Sequence, residues 1–295
     1  AYNGYIYAVG GSPDGTFTYY NTVLYATIDA NANVGTWNTA TNNLLATWGI
    51  GELAVCNGYL YAIGGYAGGA HSSAVYYSQI GVGGEPGAWT ATTSLPGTAS
   101  RLNFDNLVYN NRIYVPGGYD GLSTATSTVY YASCGSGGIT GWSTATNGLP
   151  ESRMRHSGAM DTNAGQIYVI SGYTGLDSGG SYIATTRYAT INPSTGDIDS
   201  AWINGPDLAG VRAYAGTAYT SSQYVIHVTG GTDGSTYQTT VYYGKTTTGN
   251  NPPVIPALSK PWDFQKSGEW ASQQRPEFIF STTDPESNDI RYHIQ

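Results

Sequence analysis

Leu60-Tyr61-Ala62-Ile63-Gly64-Gly65, an apolar strand-like run closed by two glycines, decides the fold because the chain repeats it. Glycine pairs close similar runs at Gly10-Gly11, Gly117-Gly118 and Gly230-Gly231, and Ser171-Gly172 takes the remaining place. The spacings are 54, 53, 54 and 59 residues. Periods of that length belong to propeller-like arrays of short strands rather than to helical solenoids. The order between glycine pairs is constant. A second strand ends in Tyr25, Tyr77, Tyr131, Tyr188 or Tyr243, usually as Val-x-Tyr, and Trp37, Trp89, Trp142 or Trp202 follows 11 to 14 residues later. Then come Leu45, Leu95, Leu149 or Leu208, a short run of small and apolar residues, and a turn such as Asn57-Gly58 or Asn110-Asn111. Such turns take the positive φ angles of tight hairpins. Four antiparallel strands per unit make a propeller blade, and all four Trp rings are expected to be mostly buried between units. The first unit lacks its innermost strand and the fifth lacks its Trp strand.

Composition agrees with this reading. Charged residues are only 10% of the chain, but 40% is apolar and falls in short runs bounded by Gly, Asn and Pro, which argues for many strands and against disorder. The net charge is -8, with 13 acidic against 7 basic residues in positions 1 to 250, so the footprint of a nucleic-acid binder is missing. No run approaches the ~20 apolar residues of a membrane-spanning helix. Cys56 and Cys134 lie 78 residues apart and match neither a metal spacing nor a redox motif, so both are expected to be unpaired structural residues. Few Lys, two Met, two Cys and no acceptor for N-glycosylation give the profile of a bacterial or archaeal protein at the cell surface or outside the cell.

The order glycine pair, Tyr, Trp, then Leu-Pro and Arg, as in Leu149-Pro150-Glu151-Ser152-Arg153, resembles the kelch repeat over positions 1 to 245. The resemblance implies an all-β, kelch-type β-propeller with about five blades, or part of a six- or seven-bladed ring. It also implies that Tyr77 and Trp89 pack between blades. The propeller is assigned to residues 1–249 and a stiff, Pro-rich linker to 250–260, on the strength of Asn251-Pro252-Pro253-Val254-Ile255-Pro256. Residues 261–295 resemble the start of an immunoglobulin-like or fibronectin-like module, expected to extend away from the ring and to be completed by missing sequence or by homotypic contact with another chain.

Alternating strand direction puts two sets of loops at one mouth of the ring. One set carries Tyr66, His71, Tyr119, Asp120 and Tyr173; the other carries Trp48, Arg101, Arg153, Arg155, His156 and Arg212. Four of the six arginines before position 245 therefore converge there, which suits an anion or a carboxylated sugar held by bidentate guanidinium contacts. The competing expectation makes these arginines ties between blades. Asp14, Asp120 and Asp233 precede glycines without the Asp-x-Asp-x-Asp spacing of a calcium loop and read as turns. The histidines are scattered, and neither a metal, a cofactor nor a catalytic set is expected. The functional expectation is a non-catalytic, extracellular binding or adhesion module recognising glycan or protein through this loop face. The alternatives are a carbohydrate-active enzyme, whose paired carboxylates across blades no single sequence displays, and a structural subunit of a surface layer or fibre.

Overall fold

The computed structural model describes residues 1–12, 18–68, 70–97, 105–120, 124–175 and 179–246, together with the backbone of Ser281–Thr283 and Asp289–Arg291. Every regular element among these residues is a strand. β1 (Tyr5–Val9), β2 (Val23–Thr27) and β3 (Asn38–Thr39) form the first sheet. The chain continues through β4 (Trp48–Gly49), β5 (Glu52–Cys56), β6 (Tyr59–Ile63), β7 (Tyr66–Ala67), β8 (Ala70–His71), β9 (Val75–Gln79) and β10 (Thr90–Thr92). Of these, β5, β6, β9 and β10 pair in that order as the second sheet, and β4, β7 and β8 form a small separate one.

The third sheet is β11 (Leu107–Tyr109), β12 (Arg112–Pro116), β13 (Val129–Ser133) and β14 (Ser143–Thr144). The fourth is β15 (Ser157–Asp161), β16 (Gln166–Thr174), β17 (Ser181–Thr190) and β18 (Ile203–Asn204). The fifth is β19 (Gly216–Thr220), β20 (Val225–Thr229) and β21 (Val241–Lys245). The first and fifth sheets thus have three strands each, as the first and last repeats predict. β22 (Ser281–Thr283) and β23 (Asp289–Arg291) pair antiparallel as a separate two-stranded sheet. The rest of the expected linker and C-terminal module lies outside the described residues.

The second, third and fourth sheets carry the same cross-strand pair of stacked tyrosines. Tyr61 faces Tyr77, Tyr114 faces Tyr131 and Tyr168 faces Tyr188, with stacked rings 5.9, 5.9 and 5.2 Å apart. Tyr77 and Tyr131 occupy the middle of β9 and β13, Tyr188 stands third from the end of β17, and all three strands run two residues further than the sequence suggests. Because side chains alternate across a strand, the tyrosines look toward the next sheet while their neighbours look back at the previous one. Leu60 and Ala62 accordingly pack with Tyr7 of the first sheet, and Ile113 and Val115 pack with Tyr61 of the second. Tyr hydroxyls tie the sheets together: Tyr7 donates to Gly84 O at 3.0 Å, Tyr61 to Gly135 O at 3.0 Å and Tyr114 to Gly196 O at 2.9 Å.

The Trp rings obey the same direction rule, and it corrects one expectation. Trp89 is 5% exposed, Trp142 and Trp202 are half-buried, and Trp37 is 44% exposed. Each ring packs on the sheet before its own; Trp142 Nε1 donates to Thr93 O and Trp202 Nε1 to Asn147 O, both one sheet back. Trp37 belongs to the first sheet and has no such predecessor. Leu44, not Leu45, fills the leucine position, since Leu44 is buried and Leu45 exposed. Where the fifth sheet brings no Trp strand, a mostly apolar cleft remains between Tyr168, Pro206, Leu208, Ile226 and Tyr242.

The cysteines are also corrected: Cys56 and Cys134 form a disulfide, with Cα atoms 6.2 Å apart. Cys56 ends the innermost strand of the second sheet, and Cys134 follows β13 in the third. Successive sheets bring these two loop starts together at the end opposite the glycine pairs, where Gly135 N also donates to Tyr61 Oη. A spacing longer than one repeat hides that adjacency in the sequence.

Two stability outcomes follow. Trp89→Ala removes a ring enclosed by two sheets and should cost about 3–5 kcal/mol, whereas Trp37→Ala should cost within about 0.5 kcal/mol in the monomer; urea unfolding of both variants checks the contrast. Replacing both cysteines by serine opens a cross-link over 78 residues and should cost about 2–5 kcal/mol. Calorimetry of the oxidised wild type against the double variant measures it.

Candidate functional site at the mouth of the inner strands

The inner strands set the site. β11 lies against β5 and β15, and β15 against β19, so four sheets present their first strands to a common axis. At the end of each sheet nearest the glycine pairs, the chain leaving for the next sheet passes under the glycines. Gly11 N donates to Trp48 O at 2.8 Å, Gly118 N to Arg153 O at 2.8 Å and Gly172 N to Arg212 O at 2.6 Å. Trp48, Arg153 and Arg212 are therefore one structural position.

That equivalence relocates most of the predicted basic cluster. Trp48 is buried and its Nε1 donates to Gly64 O at 2.9 Å. Arg153 is 0% exposed; its Nη1 donates to Val169 O, Ser171 O and Thr185 O, and its Nη2 binds Glu151 and Thr185 Oγ1. Arg212 is buried, donates to Val211 O and Tyr242 Oη, and stacks on the Tyr242 ring at 5.0 Å. All three side chains turn inward between sheets and are ties, as the competing expectation held. His156 is buried too, with Nε2 2.8 Å from Pro116 O, and burial foremost pulls its pKa down to about 4, keeping the ring neutral. Arg101 lies outside the described residues.

Two positions beyond each tie, the backbone turns through a positive φ: 58° at Ile50, 54° at Arg155 and 55° at Tyr214. Left-handed geometry is costly for such residues, for Ile most of all. Its effect is to swing these side chains out onto the mouth. Ile50 and Tyr214 are exposed, and the Arg155 guanidinium sits over both Tyr173 and Tyr214, 5.4 and 5.2 Å from the ring centres. Tyr173 is itself buried, accepts a hydrogen bond from Gly180 N and meets Tyr182 edge-on at 5.0 Å. Asp120 binds the amide and hydroxyl of Thr124, and Asp233 the amides of Ser235 and Thr236, so both carboxylates close their own loops.

An aromatic row remains, and it crosses three sheets. Tyr19, Tyr66, His71 and Tyr119 follow one another at 5.5, 5.5 and 5.7 Å between ring centres. The small β4–β7–β8 sheet holds the middle of this row by pairing Tyr66 with His71. His71 is exposed and the three tyrosines half-buried.

Below the row stand two carboxylates that the sequence reading did not single out. Glu52 pairs with Ile63, immediately before Gly64, and Asp105 precedes Leu107, which pairs with Tyr114, by two residues. They are the same rung of neighbouring inner strands. Gly158 N donates to Asp105 Oδ2 at 2.6 Å, and the Thr217 hydroxyl lies 3.5 Å away, so this one carboxylate joins the third, fourth and fifth sheets. Exclusion of water raises Asp105 to about 6 against the lowering effect of those hydrogen bonds. Exclusion of water first, and the charge of Asp105 second, pushes Glu52 well above the usual carboxylate range. Counting back from the Asn57-Gly58 and Asn110-Asn111 turns would have aligned the two in the sequence. Among the described residues no group of three or more His, Cys, Asp or Glu is placed to hold a metal ion.

No family model matches the chain, and no curated protein does. Among solved structures it is similar to "Structure of YjhT" over 81% of this chain and 78% of that one, with a TM-score of 0.62 and 13% identity. Together with the succession of small antiparallel sheets, that likeness shows a β-propeller-like fold.

The carboxylate pair should be visible in the pH dependence of stability. Both folded-state pKa values are raised, so the pair's contribution is present below the ordinary carboxylate pKa and is lost as pH rises through about 6. His156, lowered to about 4, works in the opposite sense and loses its contribution as pH falls through that value. Comparing Tm profiles of wild type and Glu52→Gln separates the two. Glu52→Gln should gain relative stability as pH rises from about 4 to 7, and parallel profiles would mean that the carboxylates do not interact.

Proposed function

We propose that the chain is a kelch-type propeller acting outside the cell or on its surface as a glycan-recognition module, with the aromatic row at the mouth as its binding surface. The observation that carries this reading is the continuity of Tyr19, Tyr66, His71 and Tyr119 across successive sheets. Aromatic faces pack on the apolar faces of sugar rings, and a row at this spacing offers neighbouring platforms to a chain of sugars. The Cys56–Cys134 disulfide supports an oxidising location, and the kelch-like order of residues supports the finer fold assignment. The C-terminal segment fits the immunoglobulin-like or fibronectin-like module that accompanies such surface proteins.

The sequence alone favours acidic glycans. The geometry favours uncharged ones, because Arg153 and Arg212 turn guanidinium donors inward between sheets and the surroundings of Glu52 and Asp105 disfavour charge, raising both carboxyl groups above their ordinary values. A second reading, a carbohydrate-active enzyme, draws on that same pair: one carboxyl raised to about 6 beside another raised further has the divided pKa values of a general acid and base.

A glycan array on the 295-residue chain, followed by titration of the best neutral oligosaccharide, tests the first reading. Tyr66→Ala and Tyr119→Ala should each weaken binding about tenfold, equivalent to ~1.4 kcal/mol, with little dependence on salt. Absence of any glycan ligand, or undiminished binding by both variants, overturns it. Cleavage of the bound sugar that Glu52→Gln abolishes without loss of binding would establish the enzyme.

A further inference from the structure

The aromatic row has a shape as well as a length. Tyr66 directly follows Gly65 and Tyr119 directly follows Gly118, so the two rings hold one position in successive repeats. Because the sheets present their first strands to a common axis, equivalent positions lie on an arc around it and not on a straight line. The rings turn as they go: successive planes are inclined by 49° from Tyr19 to Tyr66, 76° from Tyr66 to His71 and 84° from His71 to Tyr119. Packing holds these tilts. Tyr19 lies on Gly49, where an added Cβ would fall 2.2 Å from its ring, and Tyr66 is paired with His71 across β7 and β8. The edge-to-face contacts on either side of His71 are an arrangement that aromatic quadrupoles prefer. Beyond Tyr119 the arc stops, since Tyr173, next in the series, is buried with the Arg155 guanidinium over its ring.

A sugar stacks on an aromatic ring when the two planes are parallel. No two neighbouring planes in the row are parallel, so a flat ligand can lie on one ring at a time. An extended chain of the cellulose type is such a ligand, because its successive sugars flip while their planes stay nearly level, and so is the face of a crystalline polysaccharide. A helical chain, as in the glucans of the amylose or laminarin type, turns each sugar relative to the last and can follow the arc. We propose that the mouth selects single, curved chains of uncharged sugars over flat or crystalline ones, with His71 as the ring that joins Tyr19 and Tyr66 to Tyr119. This inference rests on the glycan reading and deepens it by naming the class of chain.

Calorimetric titration of the 295-residue chain with malto-, laminari- and cello-oligosaccharides of matched length, from disaccharide to hexasaccharide, tests it, together with co-sedimentation on crystalline cellulose. At least one of the two curved series should gain at least about tenfold (~1.4 kcal/mol) in affinity from disaccharide to tetrasaccharide. It should exceed the cello series by a similar factor at equal length, and crystalline cellulose should retain no protein. His71→Ala, at an exposed position, should keep the wild-type Tm and disaccharide affinity but lose the gain with length, and His71→Phe should restore it. Equal or tighter binding of the cello series, retention on cellulose, or affinity that does not grow with length overturns the proposal. So does failure of both curved series to bind, or a His71→Ala variant that keeps the gain. In each of these cases the glycan reading stands if the array yields an uncharged ligand whose binding Tyr66→Ala weakens; an array with no ligand removes both.

Discussion

The close approach of two backbones at each glycine pair is the constraint on which the rest of the structure depends. An added Cβ would stand 2.2 Å from Trp48 O at Gly10, 2.5 Å from Arg153 O at Gly117 and 2.8 Å from Met154 O at Gly172. Trp48 and Arg153 belong to the segment entering the next sheet, and Met154 to the segment entering the sheet that holds Gly172 itself. Glycine is required there twice over, because both members of the pair Gly117-Gly118 take positive φ and because no side chain fits against the incoming strand. Ser171 shows how far the rule bends: it holds φ 55°, and Gly172 after it keeps the contact. Since the approach fixes the distance from one sheet to the next, it also fixes where the inner strands begin, and therefore where Glu52 and Asp105 meet.

From the same constraint comes the division of labour among the mouth residues. The residue whose carbonyl meets the glycine pair has its side chain captured between sheets, whether it is Trp48, Arg153 or Arg212. Trp48 Nε1 and Arg153 Nη1 even bond the equivalent carbonyls, Gly64 O and Ser171 O. A buried guanidinium is tolerable there because carbonyl oxygens and Glu151 take up its donors, and Glu151 also meets Arg187 at 3.4 Å. The residue two places on, held at positive φ, is left to face solvent. Arg155 is thus the described arginine that the turn delivers to the mouth.

Legibility in the sequence followed period. The glycine pairs, the Val-x-Tyr runs and the Asn-containing turns state the strands and their order, because each obeys a local rule that most of the five copies repeat. Direction of packing did not show, which is why Trp37 was expected to be buried: its environment depends on a neighbouring sheet, not on its own strand. The disulfide and the carboxylate pair were hidden for the same reason, since both join positions in neighbouring sheets. The arginines illustrate a subtler loss. Arg153, Arg155 and Arg212 do stand near the glycine-pair end, but two positions along the chain separate Arg153, which turns inward between sheets, from Arg155, whose guanidinium lies over Tyr173 and Tyr214.

The mouth that results combines an aromatic row with two carboxyl groups whose pKa values exclusion of water raises. As a recognition surface it would discriminate by what it disfavours as well as by what it attracts. On the reading proposed above, an anionic ligand would gain a contact with Arg155, whose charge already lies over Tyr173 and Tyr214, but would bring charge into surroundings that already raise the pKa values of Glu52 and Asp105. On the same reading an uncharged sugar would meet no such opposition. The selectivity proposed for the mouth would need no dedicated loop: Tyr66 and Tyr119 stand just beyond glycine pairs, and Glu52 and Asp105 on the first rung of the inner strands. Both are placed by the same backbone approach that holds one sheet to the next.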